Sequence, residues 1–376
     1  MTMSIEPITK EALDHYLAVT DLTQSPQPHA IKMVYENIAG YIRATHPQSD
    51  VRVYRKDPIV TAEDNFDNLL IAADNLSRSS TYTHYVNETH MLRTHTSAHL
   101  PGILQELAGH DDWEDVVILL PGLVYRRDVS DKKHVSEVHM LEMWRVVKNV
   151  ARQPIVKDDL LTVVKGIAAT AAPGWHLRIV DSPHPYTKGG IEVNAVRGDR
   201  DIEILECGLI KDEILERAVM DTRIHSGWAL GMGLDRLVMT LKGIPDIRYL
   251  RSTHPRIAAQ MTNLEPYHEV SRQPAIKRDL SYSVPQGYVE EDISDDIRQA
   301  LGDTLDALES VEALSETLYT QLPENIRVRL GCQPSQKNVL VRITLRHLER
   351  SITNKEANRI YETIYVKVNK GTGGYV

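Results

Sequence analysis

The sequence predicts an α+β protein in two parts: a largely antiparallel sheet flanked by helices, then a smaller β-α-β-β-α unit. Three observations carry this. Short apolar runs between residues 60 and 260 are separated by tight turns, which join antiparallel neighbours and not parallel ones. Beyond residue 275, strand-like and helix-like periodicities alternate. The chain has 376 residues, 42% hydrophobic and 25% charged, which is ordinary globular composition and enough for two cores.

The elements follow in order. Residues 1–60 read as a helical extension; AIKMVYENIAGYI has apolar residues at helical spacing, and HPQSD ends it. Residues 61–262 form the larger domain. There DVVILLPGLVYRRDV reads as strand-turn-strand, with Pro121-Gly122 as punctuation, and VSEVHMLEMWRVV continues extended. GIEVNAVRGDRDIEILECGLI reads as a hairpin with RGDRD at its turn, and GMGLDRLVMTLKGI as a helix. A boundary is expected at NLEPYHEVSRQPAI. Residues 272–376 then run strand (DLSYSVP), helix (EDISDDIRQALGDTLDAL), strands (ETLYTQL, NIRVRLG, VLVRITLRHL) and helix (NKEANRIYETIYVKV), the ferredoxin-like plan.

Composition narrows the function. No apolar run approaches the roughly 20 residues of a membrane helix. The N-terminal residues carry acids early, lack a signal peptide's apolar stretch and are not Arg-rich, so a cytoplasmic protein is expected. Cys207 and Cys332 sit in no metal-ligand spacing and read as free thiols. The net charge of −9 argues against wholesale coating of nucleic acid. Its distribution is uneven: residues 290–324 hold eleven acids and one base, whereas 325–376 hold ten Lys/Arg and three acids. The basic stretch offers phosphate contacts, or is a solvated face opposing the acidic helix before it. Aromatic demand is met by 16 Tyr and 4 Trp with a single Phe, Phe66.

Four segments, in order, carry chemistry: YVNETHMLRTHTSAH (85–99), GLVYRRDVSDKKH with HMLE (122–142), IEILECG (202–208) and SGWALGMGLDRLVMTLKGIPDIR (226–248). With NFDNLLIAADNLSR upstream and QPAIKRDLSYSVP…ITLRHLERSITNKEAN downstream, they resemble the single-chain organellar phenylalanyl-tRNA synthetases over residues 60–376. That resemblance implies a class II synthetase sheet and a ferredoxin-fold anticodon-binding domain. It also implies ATP and Mg²⁺ as cofactors, an amino acid and tRNA (tRNA-Phe) as partners, and a monomer.

The chemistry suits the residue types. Joining a carboxylate to the α-phosphate of ATP needs negative charge neutralised, and the arginine fork does this while staying charged. By resemblance, Arg126 clamps the α-phosphate and the carboxylate, and Arg236 stacks on adenine. Asp128, His134, Val138 and Glu203 complete the ATP site, with Glu203 meeting Mg²⁺ through the nucleotide. His95, Ser97, Leu100, Met140, Glu142, His184, Tyr186, Glu206 and Ala229 match the amino-acid pocket. Arg342, Arg346, Arg350, Lys355 and Arg359 are candidate RNA contacts. His90, His95 and His99 invite a metal reading, but no HExxH pattern accompanies them.

Departures from the family cluster in the pocket. Its Phe-Pro-Phe-Thr clamp is His184-Pro185-Tyr186-Thr187 here, and Val138 and Leu230 stand where it has Phe. Leu100 and Met140 replace two glutamines, and Glu206 replaces a glycine. Loss of Phe across the chain suits a protein made when charged phenylalanyl-tRNA is scarce, or reflects drift in a paralog. A buried Glu206 needs a partner, which His184, Tyr186 or Lys188 would supply, or a raised pKa. The expected function is therefore ATP-dependent activation of an aromatic amino acid and its transfer to tRNA, with altered side-chain specificity. A paralog activating a different amino acid or charging a non-tRNA acceptor is one alternative; a non-catalytic RNA- or metabolite-binding regulator is another.

Overall fold

The computed structural model describes residues 5–127, 134–148, 154–198, 200–270, 273–347 and 350–373. The chain divides into two compact units. Residues 1–126, 137–244 and 258–266 make the first; residues 127–136, 245–257 and 267–376 make the second.

In the first unit the elements are α1 (Lys10–Leu17), α2 (Ala30–Thr45), β1 (Asp50–Val53), β2 (Ile59–Thr61), α3 (Ala62–Asn65), β3 (His90–Leu92), α4 (Leu100–Ala108), β4 (Asp115–Tyr125) and β5 (Glu137–Lys148). They continue with α5 (Lys157–Ala171), β6 (His176–Asp181), β7 (Thr187–Arg197), β8 (Arg200–Ile210), α6 (Asp212–Arg217), β9 (His225–Gly233) and α7 (Leu234–Lys242). A seven-stranded sheet runs β1-β4-β5-β9-β8-β7-β6. Only β1 and β4 pair parallel; every other neighbour is antiparallel, as the hairpin turns predict.

Residues 115–125 are one strand and not the expected strand-turn-strand. The reason lies in the hydrogen-bonding direction. Leu119 O accepts from Tyr54 N (2.9 Å) and Tyr125 N donates to Arg93 O (2.9 Å), so alternate residues of β4 point away from β5. Pro121 shares that parity, and β1 ends at Val53 opposite Leu119, so the missing proline N–H faces no strand. The segment GMG, expected as helix, ends β9; the helix begins at Leu234.

Helix α2 buries Ile31, Val34, Tyr35, Ile38 and Ile42 on one face, the spacing read from sequence. It packs against α5 and α7. The approach to α5 is close: a Cβ at Gly166 would lie 1.7 Å from the Tyr41 hydroxyl oxygen. With β1 paired into the sheet, residues 1–60 belong to the first unit and are not a separate extension.

After the short α8 (Pro255–Ala258), the second unit contains β10 (Ile276–Pro285), α9 (Glu290–Leu301), β11 (Leu308–Leu318), α10 (Glu324–Leu330), β12 (Gln336–Leu345) and α11 (Asn354–Val368). Its sheet order is β10-β12-β11, both pairs antiparallel. Strands β10 and β11 are therefore parallel to each other with β12 between them, a split β-α-β. Leu280, Tyr282, Ile293, Ile297, Val341, Ile343, Ile360 and Ile364 share its core.

The expected strand NIRVRLG is helix α10. Its alternation is uninformative because Val328 is 74% exposed. Pro323 before the helix and Gly331 after it, at φ 61°, are the stronger signals. The strand expected at ETLYTQL starts earlier, at Leu308, and Tyr319–Gln321 is a 3₁₀ turn.

Candidate active site

The register of the large sheet builds the site. Glu142 of β5 pairs with Gly231 of β9, Gly231 with Glu206 of β8, and Glu206 with Glu192 of β7. Directly opposed residues share a face, so three carboxyl groups lie in one row with a glycine between two of them. A Cβ at Gly231 would sit 2.8 Å from Glu142 Oε1, so the carboxyl group lies down over the glycine. The next row along is Trp144, Ala229 and Gly208. A Cβ at Gly208 would meet the Thr187 side chain at 2.6 Å. The Tyr186 ring stacks on Trp144, with centroids 5.4 Å apart.

A bulge brings Glu203 to the same face. Val193 pairs with Leu205 but Asn194 pairs with Glu203, which leaves Ile204 as the extra residue. Side-chain parity reverses there, so residues 203 and 206 point the same way although three positions apart.

Arg126 follows β4 directly. Its Nε donates to Thr94 O (3.0 Å), and its Nη2 lies 3.6 Å from Met140 Sδ. Met140 pairs with Gly233, the last residue before α7, and Arg236 stands exposed in the first turn of that helix. Val138, Met140, Glu142 and Trp144 alternate along one face of β5.

The electrostatics follow. Burial, then Glu206, push the Glu142 carboxyl up to about 8 while Arg126 pulls it down. Burial raises Tyr186 well above the usual phenol range, followed by Glu142 and Glu206. Glu203 is raised by burial, Glu206 and Glu192, and opposed by Arg236 and Arg126. Glu206 is raised by burial and Glu192. His95, whose Nδ1 lies 2.9 Å from Ser97 Oγ, is held near 3 by burial and by the Arg126 charge, so its ring is neutral.

Of the three partners anticipated for Glu206, His184 lies nearest, Nε2 to Oε1 3.7 Å, and Tyr186 is coupled to it by charge. Lys188 bonds Asp212 instead (2.9 Å). Ala229 is buried in the floor. Leu100 is fully buried in the core with Trp144 and Ala229.

Asp128 lies outside the described residues. His134 is exposed and falls in the second unit. Among the described residues no three His, Cys, Asp or Glu side chains form a metal group. Mg²⁺ takes one or two carboxylates and fills the rest with water and phosphate oxygen. Glu203, exposed and pressed by two neighbouring carboxyl groups, fits that demand.

Of the candidate RNA contacts, Arg342 is bonded bidentately to Asp279 (2.8 Å), Arg346 to Glu309 (2.6 Å) and Arg350 to Glu356 (2.7 Å). Lys355 and Arg359 are exposed on α11 and form no side-chain ion pair among the described residues.

Sequence reasoning missed one buried pair. His139, fully buried, places Nδ1 3.0 Å from Asp235 Oδ1, and its backbone N donates to Asp235 Oδ2 at 2.5 Å. Leu22 N donates to His139 Nε2 (2.9 Å), which fixes the tautomer with its proton on Nδ1. Asp235 adjoins Arg236, so the pair anchors the start of α7. The signal available was an acid inside the otherwise apolar GMGLDRL segment.

The profile of the tRNA synthetases class II core domain (F) matches residues 19–261. The chain belongs to the class II aminoacyl-tRNA synthetases. It is 27% identical to the probable mitochondrial phenylalanine–tRNA ligase of Drosophila melanogaster, over 89% of this chain and 82% of that one. It is 28% identical to the chloroplastic/mitochondrial phenylalanine–tRNA ligase of Arabidopsis thaliana, over 91% and 76%. The pyrrolysyl-tRNA synthetase of Desulfitobacterium hafniense overlays with a TM-score of 0.45 at 20% identity, covering 65% of this synthetase and 78% of that chain. The expectation of a cytoplasmic protein is corrected here: both relatives are named as organellar enzymes, and the acid-rich start of this synthetase is not a guide to compartment. Among the described residues, no helix is long and apolar enough to cross a membrane.

Proposed function

We propose that this synthetase activates an aromatic amino acid as its adenylate and transfers it to a tRNA, the mitochondrial and chloroplastic phenylalanine–tRNA ligases being its relatives. The observation that carries the reading is the placement of Arg126 against Met140, which pairs with Gly233 at the start of the helix bearing Arg236, and the charges of both arginines act on Glu203.

The amino acid's carboxylate attacks the α-phosphorus of ATP, and pyrophosphate leaves. The terminal ribose hydroxyl of tRNA then attacks the acyl carbon, and AMP leaves. Arg126 faces the attacking carboxylate and the α-phosphate, cancelling charge as it concentrates. Arg236 holds the nucleotide across the site. Glu142, beside Ser97 and His95, takes the ammonium group once ionised; neutral His95 adds no competing positive charge. Glu203 would hold Mg²⁺, which supplies charge neutralisation on the phosphates. Positioning accounts for the rest of the rate, and no protein nucleophile is required.

On the second unit, Lys355 and Arg359 are the cations best placed for a phosphate backbone, because Arg342, Arg346 and Arg350 are already paired. An altered side-chain preference is part of this proposal, since the pocket floor carries a carboxyl group beside its alanine. Pyrophosphate exchange driven by each of the twenty amino acids tests the reading. ATP-dependent exchange with an aromatic member is the expected result. No exchange with any amino acid would overturn it.

A further inference from the structure

Four buried polar side-chain atoms around the pocket floor have no hydrogen-bond partner among the described residues: Glu142 Oε2, Trp144 Nε1, Thr187 Oγ1 and His184 Nε2. Glu142, Trp144 and Thr187 are 2%, 0% and 4% exposed, so bulk water does not serve them. Three of them line the Gly231, Ala229 and Gly208 positions: Trp144 opposes Ala229, Glu142 lies over Gly231, and Thr187 closes over Gly208, while His184 lies against Gly190. His184 stands 3.7 Å from Glu206, too far for a hydrogen bond. Buried polar groups are almost always paired in folded proteins, and a group left unpaired calls for a ligand. The substrate's ammonium group answers for Glu142 alone. The Trp144 indole N–H lies beside the Glu142 carboxyl group, so Thr187 Oγ1 and His184 Nε2 remain for the side chain, and an unsubstituted phenyl ring would satisfy neither.

We propose that the amino acid activated by this synthetase carries a hydrogen-bonding side chain, with an O–H or N–H donor received by Glu206, and that Glu206 is the residue that disfavours phenylalanine. The inference rests on the adenylation reading above. Glu206 sits one strand from Gly231 in the row that holds Glu142, so a side chain extending from an ammonium group at Glu142 runs across Gly231 toward it. The substrate's α-carboxylate is matched by Arg126 and its ammonium by Glu142; Glu206 then has the Ser182 hydroxyl on one side and faces a neutral imidazole and another carboxylate, Glu192, on the other, with acceptor capacity to spare. A donor on the substrate supplies the missing contact. A hydroxyl group can also accept from Thr187, which a ring carbon cannot do. Sites built to bond a polar group reject the analogue lacking it by about 10⁴ to 10⁵. Glu206 keeps part of its side chain in solvent, which reduces the expected ratio to about 10²-fold or more.

The test is pyrophosphate exchange with the twenty protein amino acids plus meta-tyrosine, 4-aminophenylalanine and β-hydroxyphenylalanine. It is run on the full chain and on Glu206→Gly and Glu206→Gln, with circular dichroism to verify folding. At least one donor-bearing compound should exceed phenylalanine in kcat/KM by about 100-fold. Glu206→Gly should cut that preference by about tenfold or more while KM for ATP stays put. Glu206→Gln keeps the shape and one carbonyl acceptor but loses the charge, so its preference should fall between those of the wild type and Glu206→Gly, and a measurable drop there carries the test should the glycine variant misfold. The ring-hydroxyl, ring-amine and β-hydroxyl compounds separate the possible donors. Phenylalanine within tenfold of the best compound, or a preference that survives both substitutions, would overturn the inference and leave the ligase reading intact. Absence of exchange with every compound would bring down the ligase reading and the inference with it.

Discussion

Replacing Glu142 with glutamine should stabilise the protein and disable it. The carboxyl group is 2% exposed and its pKa is raised from 4.5 to about 8, so it stays protonated in the free protein at neutral pH while the unfolded chain ionises. A group raised on folding contributes stability that is fully present below the unfolded pKa and is lost as pH rises through the folded one. Between pH 5 and 8 the wild-type protein should therefore lose about 1.4 kcal/mol of unfolding free energy per pH unit relative to Glu142→Gln. The difference accumulates to about 4 kcal/mol over the whole window, an amount comparable with the stability of many domains. Urea unfolding of both proteins at pH 5, 6, 7 and 8 reads it, because titrating groups remote from Glu142 are common to the two and cancel. Pyrophosphate exchange should collapse in the variant, since an amide carries no charge to set against the substrate's ammonium. Parallel stability curves, or a wild type that is the more stable protein at pH 8, would refute the claim that this carboxyl group is held neutral by burial and by Glu206. Calorimetry adds a further readout: below pH 8, binding an ammonium group at Glu142 should expel a proton, so the binding heat should vary with the ionisation enthalpy of the buffer.

Arg126→Ala and Arg236→Ala should each lower exchange by about 10² to 10³, the usual cost of losing one preorganised charge-stabilising group, without lowering the unfolding midpoint. Loss of less than fivefold in both would detach the arginines from the chemistry. Asp235→Ala strips the His139 backbone N–H and imidazole N–H of a buried acceptor, which should cost about 2–4 kcal/mol in urea unfolding. Asp235→Asn should raise KM for ATP more than it lowers kcat, because Arg236 rides on the same turn; an unmoved KM in a folded variant would reduce the pair to a structural role. Lys355→Ala combined with Arg359→Ala should flatten the salt dependence of RNA affinity by a slope of about 2. Arg342→Ala should change it less, since that side chain already holds Asp279; the reverse ranking in a filter-binding titration would move the RNA surface from α11 to the sheet.

Much of the sheet could be read from the sequence because its signal is local. Residues 137–148 and 187–210 alternate, turn and alternate again within short windows, and period and turn chemistry are short-range quantities. The errors arose where the deciding fact was remote. Pro121 passes through β4 only because β1 stops opposite Leu119, some 65 residues earlier in sequence. Val328 alternates apolar and polar like a strand residue yet faces solvent, which no window of ten residues reveals. Arg342, Arg346 and Arg350 look like a basic stripe until folding brings Asp279, Glu309 and Glu356 to them. The candidate site residues were named through motif likeness; what the motifs left out was the pairing of His139 with Asp235, 96 positions apart.

The active face is made by departures from regular sheet geometry. A regular β8 would send residues 203 and 206 to opposite faces. The extra residue Ile204 reverses that, gathering both carboxyl groups with Glu192 on the side that carries Arg126. The trough beneath them exists because positions 208, 229 and 231 carry a hydrogen or a methyl group, so that the long side chains of neighbouring strands lie across the gap instead of standing clear of it. Each device costs stability: a bulge interrupts the ladder, glycine weakens a strand, and four carboxyl groups on one face repel. Such costs are tolerated where a ligand repays them. In the proposed reaction the substrate's ammonium group and a Mg²⁺ ion held with the nucleotide would supply the positive charge that the Glu142, Glu206, Glu203 and Glu192 face lacks. Exposed Glu203 would take the metal and buried Glu142 the ammonium. On that proposed division Glu206, which has only the Ser182 hydroxyl beside it, is left to receive the substrate's side chain, so the choice of amino acid would depend on the same sheet irregularity that gathers these carboxyl groups.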